Sequence, residues 1–148
     1  MGKILKDLKD YAIAFAKDNN VNHIGDGYFY DFRHNIFGKE MNRRFEKMFL
    51  DGDGNELTSK ACAPHSSSMM GYNFFHWIDK NNTLTIQFKD EKITYNEVFF
   101  EVKIPVLNPS RWDANMDIVL RNSVGDWLFI ESKFLEYCEC EKFDISDT

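Results

Sequence analysis

Apolar positions recur at helical spacing in the first half of the chain and at spacing two in the second. Over residues 3–18, Ile4, Leu8, Tyr11, Ala12 and Phe15 form one stripe between Lys3, Lys6, Asp7, Lys9 and Asp10. That spacing predicts an amphipathic helix, ended by Asn19-Asn20 and followed by a turn at Gly25 and Gly27. Tyr28-Phe29-Tyr30-Asp31-Phe32 reads as a short strand or a packed aromatic loop. A second helix is predicted over 39–50, with Met41, Phe45, Met48 and Phe49 inward and Arg43, Arg44 and Lys47 outward. A third begins after His65-Ser66-Ser67-Ser68, with Met70, Phe74, Trp77 and Ile78 on one stripe and any of the three serines able to cap it. From residue 83 the period is two. Thr83–Phe88 and Lys92–Tyr95 read as strands around Lys89-Asp90-Glu91, and Val98–Val106 as a longer strand limited by Pro105 and Pro109. On that strand Phe100, Val102, Ile104 and Val106 share one face, and Glu101 and Lys103 the other. Met116–Arg121 and Trp127–Leu135, joined by Ser123-Val124-Gly125, complete the pattern. Helices first and a meander afterwards predict an α+β domain.

Composition narrows the class. A chain of 148 residues suits one domain with a sizeable core, and an aromatic share of 16% excludes disorder throughout. No apolar run approaches the roughly 18–20 residues of a membrane span. The start, Met1 to Lys6, has no signal-peptide stretch, and Lys6 stands where a myristoylation signal wants Ser or Thr. A cytoplasmic protein is expected. Cys62, Cys138 and Cys140 suit a reducing compartment, and Cys138-Glu139-Cys140 lacks zinc-finger spacing. Of the net charge of −6, four units fall in residues 136–148, where five carboxylates face only Lys142. The rest of the chain is near neutral, which leaves room for a local basic groove.

Two motifs dissolve on inspection. Asp51-Gly52-Asp53-Gly54-Asn55 has the look of a calcium loop, but its sixth position is Glu56 instead of Gly and its twelfth is Cys62 instead of Glu. It reads as a glycine-rich turn. His65 beside three serines has no nucleophile-elbow pattern and no acidic neighbour, so capping explains it better than catalysis.

Asp117 and Glu131-Ser132-Lys133 are different. Strand periodicity puts Glu131 and Lys133 on one face. A two-residue turn at Val124-Gly125 would pair Asp117 with Ser132. A three-residue loop Ser123–Gly125, with Gly125 left-handed, pairs Asp117 with Glu131 and aligns Ile118 with Ile130 and Leu120 with Leu128 in one apolar face. Carboxylates facing each other repel unless neutralised, and a divalent cation with oxygen ligands, Mg²⁺ or Mn²⁺, would do so. Such an ion activates water and polarises phosphoryl oxygens, while Lys133 stabilises developing charge, so phosphodiester hydrolysis is the natural chemistry. The competing account is a solvated hairpin face with a surface ion pair.

Asp117 with Glu131-Ser132-Lys133 across a hairpin resembles the PD-(D/E)XK nuclease signature. The ordered segments His65-Ser66-Ser67-Ser68 to Asn73-Phe74-Phe75, Phe100–Pro105, Asn115-Met116-Asp117 and Ile130–Glu136 resemble an uncharacterised bacterial restriction-endonuclease-like group, over roughly residues 40–137. The resemblance implies Asp117 and Glu131 as metal ligands, the Ser132 carbonyl as a further ligand, and Lys133 as the catalytic lysine. It leaves the third carboxylate to Glu101, preferred, or Glu46. Glu101-Val102-Lys103 is a second, decoy ExK element. Met116 stands where the signature has Pro, and only fifteen residues follow Lys133 where the superfamily core continues with a helix and a fourth strand.

The expected protein is a single restriction-endonuclease-like α+β domain with an antiparallel or mixed sheet, cut short after its third core strand. Residues 1–64 form its helical part, 65–137 its core and 138–148 an acidic tail. Its expected activity is metal-dependent cleavage of nucleic acid, DNA first, with Arg43, Arg44 and Lys47 as phosphate contacts. Nucleic acid and a second copy of the chain are the expected partners, and a membrane is not. The alternatives are an inactive nuclease scaffold that binds nucleic acid or protein, and a small acidic immunity-type protein.

Overall fold

The structure, a computed structural model, describes residues 3–38, 40–52, 56–105 and 114–133. The fold is α+β, with N-terminal helices followed by antiparallel sheets.

Helix α1 spans Lys3–Asp18, as the pattern predicts, but its buried face is rotated. Lys9, Ala12 and Ala16 are covered, while Ile4 and Tyr11 stand in solvent. The helix packs its small residues against Phe29, and the Lys9 ammonium pairs with Asp26. The hairpin of β1 (His23–Ile24) and β2 (Tyr28–Phe29) presses on it through Gly27, at φ +81°. A Cβ there would stand 2.9 Å from the Lys9 carbonyl oxygen. Gly27→Ala should therefore cost at least about 1 kcal/mol from the left-handed backbone alone, read as a lower urea midpoint at unchanged slope. An unchanged midpoint would mean that α1 does not dock as described.

Helix α2 (Arg43–Asp51) starts later than the predicted residue 39 because Asn42 caps it, accepting from the Arg44 amide at 2.8 Å. Phe45 and Phe49 are its buried pair, as the stripe predicts. Helix α3 (Ser67–Phe75) is capped by Ser66, whose hydroxyl accepts from the Met69 amide at 3.2 Å. Its inward face is Met69, Gly71 and Tyr72, and Phe74 is 64% exposed, which corrects the predicted stripe. Gly71 decides the rotation. A Cβ at that position would sit 2.8 Å from Ile118 Cδ1, so the glycine lets α3 lie directly on the sheet.

Strands β3 (Leu84–Phe88) and β4 (Glu91–Tyr95) pair separately around Lys89-Asp90, one residue tighter than the predicted turn. Strands β5 (Glu97–Ile104), β6 (Ala114–Arg121) and β7 (Trp127–Ile130) form an antiparallel sheet in chain order. Val98, Phe100, Ile118 and Leu120 turn one sheet face into the core, against Phe45, Phe49 and Tyr72. Phe100 stacks on Phe49 and meets Phe45 edge-on, with centroids 5.4 and 5.3 Å apart. Strand β7 is shorter than predicted and ends at Ile130. The expected strand end at Phe134-Leu135, the acidic tail with Cys138 and Cys140, and residues 53–55 of the rejected calcium loop lie outside the described residues. Cys62 is buried, and burial, followed by the Asp31 charge, pushes its thiol pKa up, which suits an inert core thiol.

Candidate functional site

The β6–β7 loop sets the site. Gly125 is left-handed at φ +99°, and the Asn122 amide donates to the Asp126 carbonyl at 3.1 Å. The Asn122 side chain fastens the loop from within, accepting from the Val124 and Asp126 amides. This is the three-residue loop of the sequence argument. It produces the register Ile118↔Ile130 and Leu120↔Leu128, which brings Asp117 level with Glu131 just past the end of β7.

Asp117 Oδ2 accepts from the Ser132 amide at 2.6 Å, so its carboxylate is fixed across the strand end. Ser132 is buried and donates its hydroxyl to the Ser67 carbonyl at 2.8 Å, tying the strand end to the start of α3. Lys133 reaches back to Glu131, Nζ to Oε1 at 2.6 Å, and both side chains remain partly in solvent. Burial raises the Asp117 pKa above the ordinary carboxylate value. The Ser132 amide opposes that shift, the Glu131 charge adds to it, Lys133 counters it, and Glu56 adds further.

Glu56 is the residue that sequence reasoning missed. Its side chain is 6% exposed, paired with Lys60 and accepting from the Ser68 hydroxyl at 2.9 Å. The available signal was the Glu56–Lys60 spacing of four followed by Ser68.

Glu101 lies in the Asp117 register, between the pairs Phe100↔Ile118 and Val102↔Met116, yet it drops out of the ladder. Its backbone is left-handed at φ +51°, an uncommon state for a residue with a long side chain, and the residue is buried. A Cβ on Gly52, at the end of α2, would come within 2.9 Å of Glu101 Cβ, so Glu101 is packed against that glycine. Lys103 is exposed on the same strand. Glu46 stands apart, facing the Arg33 guanidinium at 3.5 Å. Arg43 and Lys47 are exposed on α2, whereas the Arg44 guanidinium is laid over Phe45 and Phe99 and donates to the Val98 carbonyl at 3.3 Å.

The donor chemistry fits a hard cation with few protein ligands. Burial and the nearby Glu131 charge disfavour the ionised form of Asp117, and a cation would relieve both effects. Among the described residues, no group of three or more His, Cys, Asp or Glu side chains is placed to hold a metal ion. Mg²⁺ commonly uses one or two carboxylates and keeps several waters. A cavity of about 380 Å³ adjoins the site, lined by Tyr28, Lys60, His65 and Ser66–Ser68 among others. Within it Ser66 is committed to its capping bond, Ser68 donates to Glu56, and His65 meets the Tyr28 ring edge-on.

Residues 12–146 match the model of a protein family described as Restriction Endonuclease associating with ARP. No curated protein and no solved structure matches the chain. Among the described residues, no helix is long and apolar enough to cross a membrane.

Proposed function

The chain belongs to the Restriction Endonuclease associating with ARP family, and from that premise we propose that it is a metal-dependent nuclease of PD-(D/E)XK type, hydrolysing phosphodiester bonds of DNA. The observation that carries the reading is the Asp117 carboxylate. It is half-buried, fixed on the Ser132 amide, and raised in pKa beside Glu131 and Lys133. A purely structural acceptor for one amide would not need two further carboxylates whose charges work against it. Arrangements that disfavour ionisation this way are typical of functional sites.

Asp117, Glu131 and the Ser132 main-chain carbonyl would hold Mg²⁺ or Mn²⁺ in this proposal, with Glu56 or Glu101 as an outer carboxylate that does not ligate it. When bound, the ion supplies polarisation of the phosphoryl group and a lowered pKa for its water. The side chains do the rest. Asp117 keeps its position through the Ser132 amide, and Ser132 keeps its own through Ser67. Lys133 leaves Glu131, orients the attacking water and meets the negative charge that grows on the phosphoryl oxygens. The water oxygen bonds to phosphorus as the bond from phosphorus to the leaving oxygen breaks; the water gives up a proton to solvent, the leaving oxygen takes one up from solvent, and a phosphomonoester and an alcohol remain. Plasmid nicking with Mg²⁺ or Mn²⁺, abolished by EDTA, is the expected result. Cleavage that persists in EDTA would overturn the proposal.

Arg43 and Lys47 are the proposed phosphate contacts outside the site. Replacing both with Ala should reduce the slope of log affinity against log salt by about one unit per charge. Arg44 is left out of this pair because its guanidinium lies over the Phe45 and Phe99 rings. An unchanged slope in the double variant would reduce Arg43 and Lys47 to a solvated helix face.

A further inference from the structure

The outer face of the three-stranded sheet carries two cross-strand rows beside Asp117. One row is Phe99, Val119 and Phe129, and the next is Glu97, Arg121 and Trp127. Residues two apart on a strand share a face, so Asp117, Val119 and Arg121 point away from the core that holds Ile118 and Leu120. Val119 is fully covered, yet Trp127 and Phe129 are 48% and 50% exposed.

Their rings are close to parallel. The planes of Trp127 and Phe129 lie 9° from parallel with centroids 6.5 Å apart, and those of Phe99 and Trp127 lie 29° from parallel at 6.2 Å. Two guanidiniums join them. Arg121 lies over Phe99 at 5.3 Å and Trp127 at 5.2 Å, and Arg44 reaches from α2 over Phe99 at 5.4 Å. Both are held in place, Arg121 by Glu97 and Arg44 by the Val98 carbonyl. A contiguous aromatic surface left in water marks a binding face.

We infer that this platform stacks unpaired bases of single-stranded DNA beside the phosphate engaged at Asp117. The inference rests on the nuclease reading and adds the substrate class: single-stranded or locally unwound DNA. Flat, parallel rings accept any base through its π-face, and planar guanidiniums add cation–π attraction and positive charge for a polyanion. The rows follow one another at steps of roughly 6.6 Å along the strands and end at the carboxylates. A base on Phe129 would therefore bring its backbone to the Asp117 site. In a duplex the base faces are hidden by their neighbours, so the platform would have nothing to stack on.

The test is fluorescence anisotropy with the full chain in EDTA, which keeps binding separate from cleavage. The probes are labelled oligo-dT of about twelve nucleotides, an abasic oligomer with the same phosphates, and a duplex of equal length. Oligo-dT should bind at least about tenfold more tightly than either competitor. Trp127→Ala and Phe129→Ala should each lose about fivefold or more for oligo-dT and little for the abasic strand, with Trp127→Phe retaining most of the affinity. Equal affinity for the abasic strand or the duplex in the wild-type chain overturns the inference, whatever the variants do. Tighter binding of oligo-U than oligo-dT overturns the choice of DNA. Self-association lost in Trp127→Ala would assign the face to a second copy instead. Mg²⁺-dependent cleavage is scored separately. Cleavage without base-dependent binding sinks only the platform, and base-dependent binding without cleavage sinks only the nuclease.

Discussion

Lys133→Ala is expected to slow Mg²⁺-dependent cleavage by about a hundredfold or more while leaving the affinity for the ion undiminished. The asymmetry follows from the geometry. The Lys133 ammonium rests on Glu131 Oε1 at 2.6 Å, where it would compete with a cation for the same carboxylate. Removing it takes away the group that meets transition-state charge but also removes a competitor, so Mg²⁺ affinity stays level or rises slightly. Asp117→Ala and Glu131→Ala should do the opposite. Each deletes an anionic oxygen ligand and should weaken Mg²⁺ binding along with cleavage. Lys103→Ala should leave rate and affinity near those of the native chain, since Lys103 belongs to an ExK element on a different strand. Titrating Mg²⁺ against initial nicking rates separates these outcomes. Native rates in Asp117→Ala would sink the assignment, and loss of ion affinity in Lys133→Ala would recast the lysine as a structural clamp.

What could be read from the sequence was what depended on local rules. The register of Asp117 against Glu131 followed from one left-handed glycine and one apolar face, because a shift of one residue would have exposed Ile118 and Leu120. The buried pair Phe45 and Phe49 followed from their spacing. What failed depended on neighbours distant in the chain. The α3 stripe was misassigned because Gly71, which carries no hydrophobic signal, is the point at which that helix touches Ile118. The α1 face was misassigned because Lys9 finds Asp26 and the β1–β2 hairpin covers it, so a charged residue is buried in place of Ile4. Glu56 was invisible as a candidate because its hydrogen-bond partner Ser68 stands twelve positions away, in α3. The left-handed turn of Glu101 has no counterpart in its residue type, which ordinarily avoids that conformation.

Asp117→Asn should leave the metal-free protein at least as stable as the native chain at neutral pH, and this separates a functional carboxylate from a structural one. Burial first, then the charges of Glu131 and Glu56, raise the Asp117 pKa in the fold above its ordinary value near 3.8. Between those two values the folded state holds a proton that the unfolded state has released, so stability falls as pH rises through the window. Above it the ionised carboxylate burdens the metal-free fold. Asn keeps an oxygen for the Ser132 amide and removes the charge. Its advantage in urea melts with EDTA should therefore be present at neutral pH and fade on acidification, as the native carboxylate takes up its proton. Mg²⁺ should reverse the ranking. An ion at a hundred times its dissociation constant stabilises a protein that binds it only when folded by about 2.7 kcal/mol, and the Asn variant, with one anionic ligand fewer, should gain much less. Melts at two pH values, each with EDTA and with Mg²⁺, give the whole pattern. If Asp117→Asn is destabilised at neutral pH and Mg²⁺ shifts neither protein, Asp117 is an acceptor for one amide and nothing more. If the ranking inverts on adding Mg²⁺, the stability lost by burying that carboxylate is what the fold gives up to hold the ion.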